Sequence, residues 1–236
     1  MPTVLIIGAG PRIGQASAEA FAAAGYQVAV ASRKQNTSAN HRYYAFDASE
    51  PAKVPALFEK VSADLGIPSV VIYNAYNGAM TPPDSPFERG LEEFQIGMNV
   101  NTTTPYVAAG EAVKGFEKLG PSKLGPSGGT FIFTGNMLNV SAMPGMMTFG
   151  MQKGATANMI RHLAIAAYQG KPYKFYYADE RHADGSFVTT DLSGPGHATV
   201  FLDLAKDGKQ KPWDYTFVTG KGYAEFPTQE FMAWKP

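Results

Sequence analysis

The stretch "TVLIIGAGPRIGQASAEAFAAAG", residues 3–25, decides the fold. Thr3–Ile7 is an unbroken apolar run, the pattern of a strand buried on both faces of a parallel sheet. It enters a glycine turn, Gly8 to Gly14, and then Ile13–Ala24, which is rich in good helix formers and stops at Gly25. Glycines there let the backbone bend tightly and approach a pyrophosphate, whose charge is favoured by the free N–H groups and dipole of a helix start. A lone glycine pattern is common. Strand, glycine loop and helix in that order point to a dinucleotide.

The same alternation continues outward. Strands are expected at Tyr26–Ala31, Arg42–Phe46, Ser69–Tyr73, Thr130–Thr134 and Tyr173–Tyr177, with a last one in "WDYTFVTG". Helices are expected at Ala52–Asp64, Gly90–Leu119, Thr148–Gln169 and, briefly, near Thr199–Ala205. The polar segment "SRKQNTSAN", residues 32–40, predicts a truncated or missing crossover helix, and "GPSKLGPSGG", residues 120–129, a turn cluster. Seven strands alternating with helices make an α/β protein, a doubly wound parallel sheet of Rossmann type, as a single domain over residues 1–236. A substrate loop is expected at about residues 178–197.

Composition narrows the partners. Lys plus Arg equal Asp plus Glu at 20 each, without the basic excess of a nucleic-acid binder. There is no Cys, and the four histidines, His41, His162, His182 and His197, lack metal-ligand spacing, so neither thiolate chemistry nor a metal is expected. The apolar run before Gly8 is too short for a signal peptide or a membrane span, which makes no membrane and a cytoplasmic location the expectation.

The second strand ends "VASRK". An acidic residue there would bind a ribose 2′-hydroxyl, whereas a 2′-phosphate needs cations. Arg33 and Lys34, with Arg12 from the glycine loop, predict NADP(H) as cofactor.

Taken together, these motifs resemble the short-chain dehydrogenase/reductase family over nearly the whole chain. The family's T-G-x-x-x-G-x-G loop appears as "IGAGPRIG", in which Gly8 and Gly14 match, Ile7 replaces the threonine and Arg12 the middle glycine. Asp47 in "FDAS" stands where the family's aspartate bonds the adenine, and "YNAY" carries Asn74 and Ala75 of N-N-A-G. The resemblance thus implies a cofactor site of Gly8, Gly10, Arg12, Ile13, Gly14, Arg33, Lys34, Asp47, Asn74, Ala75 and Lys153. Asn101 in "MNVN" and Lys153 match two members of the catalytic tetrad. The other two positions depart, with Phe149 at the tyrosine and Asn136 at the serine, and "ADERHADG", residues 178–185, replaces the P-G turn after strand six.

Hydride addition to a ketone creates an alkoxide that needs a positioned acid, and phenylalanine cannot donate a proton. Four readings follow. Tyr76 could supply the proton, Lys153 could deliver it through water, the substrate could be an iminium that needs none, or the chain could bind NADP(H) without turnover as a sensor or partner-binding protein. The candidate catalytic set is therefore Lys153, Asn101, Asn136, Phe149 and Tyr76, acting on a small, apolar molecule such as an imine or enone. The Met-rich "NMLNVSAMPGMM" reads either as a soft wall for such a substrate or as loop packing. His162 reads as a packed helix residue, "ADERHADGSF" as a solvated turn, and Ser141 as a serine substitute only if its loop folds back. Small residues on the helix of Lys153, among them Gly154, Ala155 and Ala157, predict a homodimer or homotetramer through a face that the resembling family uses.

Overall fold

Val4, Leu5, Ile6 and Ile7 are all fully buried, because β1 (Thr3–Ile7) lies in mid-sheet with helices over both faces. The computed structural model describes residues 1–35, 41–78 and 80–228. Outward from β1 the strands are β2 (Gln27–Ser32) and β3 (Arg42–Ala45) on one side. On the other are β4 (Pro68–Tyr73), β5 (Gly129–Thr134), β6 (Tyr173–Glu180), β7 (Asp214–Val218) and β8 (Gly222–Tyr223). The order is β3-β2-β1-β4-β5-β6-β7-β8, and every neighbouring pair is parallel except β7 with β8. The doubly wound sheet is thus as expected, with an eighth strand added by a tight return at Gly220 and Gly222, both at positive φ.

Strand alternation sorts the core into two layers. Leu5, Ile7, Phe131, Phe133 and Tyr177 face α2 (Val54–Leu65), α4 (Thr104–Leu124) and α5 (Met147–His162). Val4, Ile6, Ile132 and Tyr176 face α1 (Ile13–Ala23) and α6 (Gly194–Lys206), which pack on each other. On the first face Tyr73, Phe133 and Tyr177 stack across three neighbouring strands, with centroids 5.7 and 5.6 Å apart. Such pairs add about 0.5–1.5 kcal/mol each beyond their buried area.

Five expectations need correction. The helix expected over Gly90–Leu119 is broken: α3 (Leu91–Met98) passes through a wide π turn, Asn99–Thr103, into α4. Pro105 is the cause, since it has no N–H to give the carbonyl of Asn101 four residues back and its ring crowds that oxygen. Beyond the break at Gly120 (φ 66°), Pro121 opens one more helical turn inside the expected turn cluster, ending at Leu124. β6 runs three residues past Tyr177, and Asp179, Glu180 and Arg181 are buried rather than a solvated turn. α6 begins at Gly194, capped by Ser193 Oγ on the N–H of Gly196 and with Pro195 in its first turn, so the loop between β6 and α6 spans only 181–193. His162 is exposed in the last turn of α5, not packed. Of the missing crossover helix, residues 36–40 lie outside the described residues.

Candidate active site

The glycine loop is built against the end of β4. Gly8 has φ 92°, and a Cβ there would stand 2.2 Å from the nitrogen of Ala75, so no other residue fits. Asn74 Nδ2 donates to the Gly8 carbonyl at 2.8 Å, and the N–H groups of Asn74 and Ala75 both donate to Ile7 O, at 2.7 and 3.1 Å. These two residues hold the loop in shape. A Cβ on Gly14 would meet Ala9 Cα at 2.5 Å, which lets α1 begin close against the strand. Gly10 is different: a Cβ there would meet nothing within 4 Å, so its glycine leaves open space above the start of α1. The first N–H groups of a helix have no intrahelical partners, and Ile13 and Gly14 supply two of them here. A phosphate fits that cradle.

Arg33 and Lys34 are exposed at the end of β2. Asp47 Oδ1 accepts from the N–H and hydroxyl of Ser49 at 2.9 and 2.8 Å. The Ser49 N–H above all holds the Asp47 carboxyl below its usual range, and the charge of Arg33 adds to this, which places Arg33 and Asp47 in one field. Arg12 Nη1 donates instead to Thr190 O at 2.9 Å and ties the 181–193 loop over the glycine turn. The far end of that loop is fastened by Glu180, which accepts from Ser193 N–H at 2.8 Å and from the Thr219 hydroxyl.

The chemistry end lies over the stacked aromatics. Lys153, one helical turn after Phe149 on α5, is 3% exposed. Its Nζ donates to Thr134 O at 2.8 Å and sits 4.4 Å from the Phe133 ring centre and 5.4 Å from that of Phe149. Burial brings the Lys153 ammonium down to about 7, with the charge of Asp179 opposing. Phe149 packs with Leu138, Met143, Met146 and Phe187, so the Met-rich segment forms an apolar wall around it. Tyr76 is 66% exposed, its ring 6.4 Å from that of Phe149.

Asn136 Oδ1 accepts from the N–H of Leu138 at 3.1 Å and caps the short 3-10 turn Met137–Asn139. Its backbone grips Tyr177, whose hydroxyl donates to Asn136 O at 2.7 Å. Ser141 is buried in the same loop. Asn101 is fully buried in the π turn, where its carbonyl, released from the helix ladder, accepts from Thr156 Oγ1 at 2.6 Å. Its side chain pairs with both backbone groups of Asn77 and donates to Gln152 Oε1 at 2.7 Å.

Phe149, Lys153, Asn136 and Tyr76 therefore gather at the carboxyl ends of β4 to β6, with Asn101 beneath. Sequence reasoning missed Gln152 and Asp179. Gln152 adjoins Lys153 and could have been suspected from that; Asp179 carried no such signal. A cavity of about 1140 Å³, lined by Thr3, Phe58, Ile67, Lys114 and Lys118 among others, lies at the opposite, amino ends of the strands. Open α/β sheets bind ligands at the carboxyl ends, so that cavity is not the site.

Sheet order, glycine cradle and a lysine-bearing helix beside the carboxyl ends define a nucleotide-dependent α/β protein of Rossmann type. A family model described as enoyl-(acyl carrier protein) reductase matches residues 8–171, and the chain belongs to the short-chain dehydrogenase/reductase family. The short chain dehydrogenase/reductase dmxR12 of Cryptosporiopsis sp. (strain 8999) is 40% identical over 239 residues, spanning 96% of this chain and 95% of the relative. A glucose 1-dehydrogenase of Gluconobacter oxydans (strain 621H) is 28% identical over 174 residues, 69% of this chain and 62% of that one. Among solved structures, a metagenomic short-chain oxidoreductase in complex with NADP superposes with a TM-score of 0.72 at 15% identity, covering 87% of this chain and 90% of the other. An alcohol dehydrogenase from the archaeon Thermococcus sibiricus, complexed with 5-hydroxy-NADP, gives 0.73 at 20% identity, over 96% and 100%. At these identities the superpositions speak for the fold. Among the described residues no helix is long and apolar enough to cross a membrane.

Proposed function

We propose that the chain is an NADP(H)-dependent short-chain reductase whose substrate is a small apolar molecule needing no phenolic acid, an imine or iminium or an enone. The observation that carries this reading is Phe149: apolar neighbours surround it where the family's proton donor is expected, while Lys153 and the glycine cradle are kept. Gly10, the start of α1, Asp47, Arg33 and Lys34 would hold the dinucleotide, consistent with the NADP bound by structural neighbours. When bound it supplies a hydride. The apolar wall excludes water and orients the substrate, and Asn101 keeps the segment after β4 in place through Asn77.

A second reading, an NADP(H)-binding protein without turnover, is supported by Lys153 itself, which is turned inward onto Thr134 O. One experiment separates the two. NADPH and NADH binding are measured by calorimetry, and NADPH oxidation is followed at 340 nm with 2-cyclohexen-1-one, a cyclic imine and cyclohexanone. The reductase reading expects tight NADPH binding, with the enone or the imine consumed and the ketone left. NADPH binding with none of the three consumed favours the binder, and no NADPH binding overturns both.

A further inference from the structure

One face of α5 is a buried stripe that includes two uncharged polar side chains. Phe149, Gln152, Lys153 and Thr156 stand at i, i+3, i+4 and i+7, and all four are buried. Phe149 and Lys153 line the candidate site, whereas Gln152 and Thr156 both reach Asn101 in the π turn. Asn101 is fully buried, and its amide has two N–H bonds to satisfy. One donates to Asn77 O at 2.8 Å and the other to Gln152 Oε1 at 2.7 Å, while Asn101 Oδ1 accepts from the Asn77 N–H at 3.0 Å. Without Gln152 the second N–H would be buried and unpaired, which costs more than an ordinary hydrogen bond gains. Room for the Gln152 amide comes from Gly97 of α3, where a Cβ would stand 2.6 Å from Nε2. The Gln152 carbonyl is held as well, accepting from Thr102 Oγ1 at 3.2 Å.

The chain that follows β4 is fastened at Asn74 to Gly8 O, at Asn77 to Asn101, and at Thr81, whose N–H donates to Gly145 O at 2.9 Å. Tyr76 and Gly78 flank the middle fastening. A Cβ on Gly78 would lie 3.2 Å from the Tyr76 ring and 3.5 Å from that of Phe149, so this segment abuts Phe149 and makes the wall that faces α5. We propose that Gln152 is a positioning residue: by holding Asn101 against Asn77 it fixes the gap between the Tyr76–Gly78 segment and Phe149, and with it the size of substrate admitted. The link to substrate rests on the reductase reading of the site. Gln152 acts through Asn101 and touches no reacting atom. Its neighbour Lys153 ties the same helical turn to Thr134 O, so α5 is anchored toward the π turn by one residue and toward β5 by the next. With the Gln152 acceptor gone, one Asn101 N–H is unpaired in its present pose, the amide gains by turning, and the hold on Asn77 is lost.

The first test reads the wall directly and needs no substrate. Amide hydrogen exchange is followed by NMR at the Asn77 N–H, with the Ile6 N–H of the core as reference. Gln152→Met, which keeps the length and removes the acceptor, is expected to speed exchange at Asn77 about tenfold relative to Ile6, the worth of one hydrogen bond. Gln152→Glu, which keeps an accepting oxygen at the same reach, is expected to retain the protection. Gly97→Ala, which crowds the amide and leaves Gln152 in place, is expected to lose it. Unchanged exchange at Asn77 in Gln152→Met overturns the proposal, and so does equal speeding at Asn77 and Ile6, which would make Gln152 a contributor to overall stability alone. Should Gln152→Met fail to fold, Gly97→Ala decides by the same two criteria. Turnover supplies the second readout: the preference for 2-cyclohexen-1-one over the bulkier isophorone, as kcat/KM with NADPH, is expected to fall about tenfold in Gln152→Met, the range in which a pocket of fixed size discriminates. The fall is expected in KM rather than kcat, and a preference left intact overturns the proposal. If exchange responds as expected and neither enone is reduced, the positioning role stands and the reductase reading falls.

Discussion

Phe149 and Lys153 lie four residues apart on one face of α5, so a change at one is felt by the other. Phe149→Tyr with Asn136→Ser places a phenol and a hydroxyl beside Lys153, at positions where the present side chains contribute an apolar ring and a cap. If the site keeps its shape, reduction of cyclohexanone is expected to rise about 10²–10⁴-fold, the usual worth of a positioned acid. Reduction of a cyclic iminium is expected not to gain. A large loss of native turnover in Tyr76→Phe, with NADPH affinity unchanged, would instead identify Tyr76 as the donor. At the other end of the pocket, Arg33 is exposed and its charge reaches Asp47. Arg33→Asp is expected to weaken NADPH relative to NADH by about 1–3 kcal/mol, the range for losing a charge-assisted contact. Calorimetry with both dinucleotides checks it, and equal affinities in the unmodified protein would remove the 2′-phosphate assignment.

β6 shows what an element does to the charges it buries. The Asp179 carboxyl, raised from 3.8 to about 7, gives stability that is complete below its unfolded value and is lost as pH rises through about 7. The Lys153 ammonium, lowered from 10.5 to about 7, gives stability that is present above its unfolded value and is lost as pH falls through about 7. Both contributions are therefore smallest near neutrality. The Tm of the unmodified protein, minus that of Lys153→Met/Asp179→Asn, is expected to be lowest near pH 7 and higher at pH 5 and 9; a flat difference would contradict the assigned shifts. The same strand marks how far the sequence could be read. Thr3–Ile7 and the glycine loop were legible because burial on two faces and a forced φ leave direct marks in residue type. Asp179 was not, because a charge in a sequence reads as solvent-facing until partners distant along the chain, Lys153 and Asp214, are known to meet it. Pro105 was legible in principle: its missing N–H marks the break between α3 and α4, and the helical periodicity around it masked the signal.

For the whole molecule, the outer face of α4 and α5 carries Tyr106 and Met151, 68% and 54% exposed, beside a groove of about 310 Å³ that includes Tyr106, Ala155 and Met159. Of the small residues expected to form a contact there, Ala155 is exposed, but Ala157 belongs to the core. A homodimer or homotetramer through this face is the expected state. Light scattering after gel filtration tests it: Tyr106→Glu/Met151→Glu is expected to give monomers, and a monomeric unmodified protein at micromolar concentration would refute it. Strand order also governs how the chain emerges during synthesis. β1 needs β2 on one side and β4 on the other, and β4 ends only at Tyr73. On a ribosome, one edge of a fully apolar strand thus waits on the order of several seconds for its second neighbour. A nascent chain halted before residue 68 is expected to remain bound to a chaperone that recognises unpaired strand edges, and one halted well beyond Tyr73, with β4 clear of the exit tunnel, to be released.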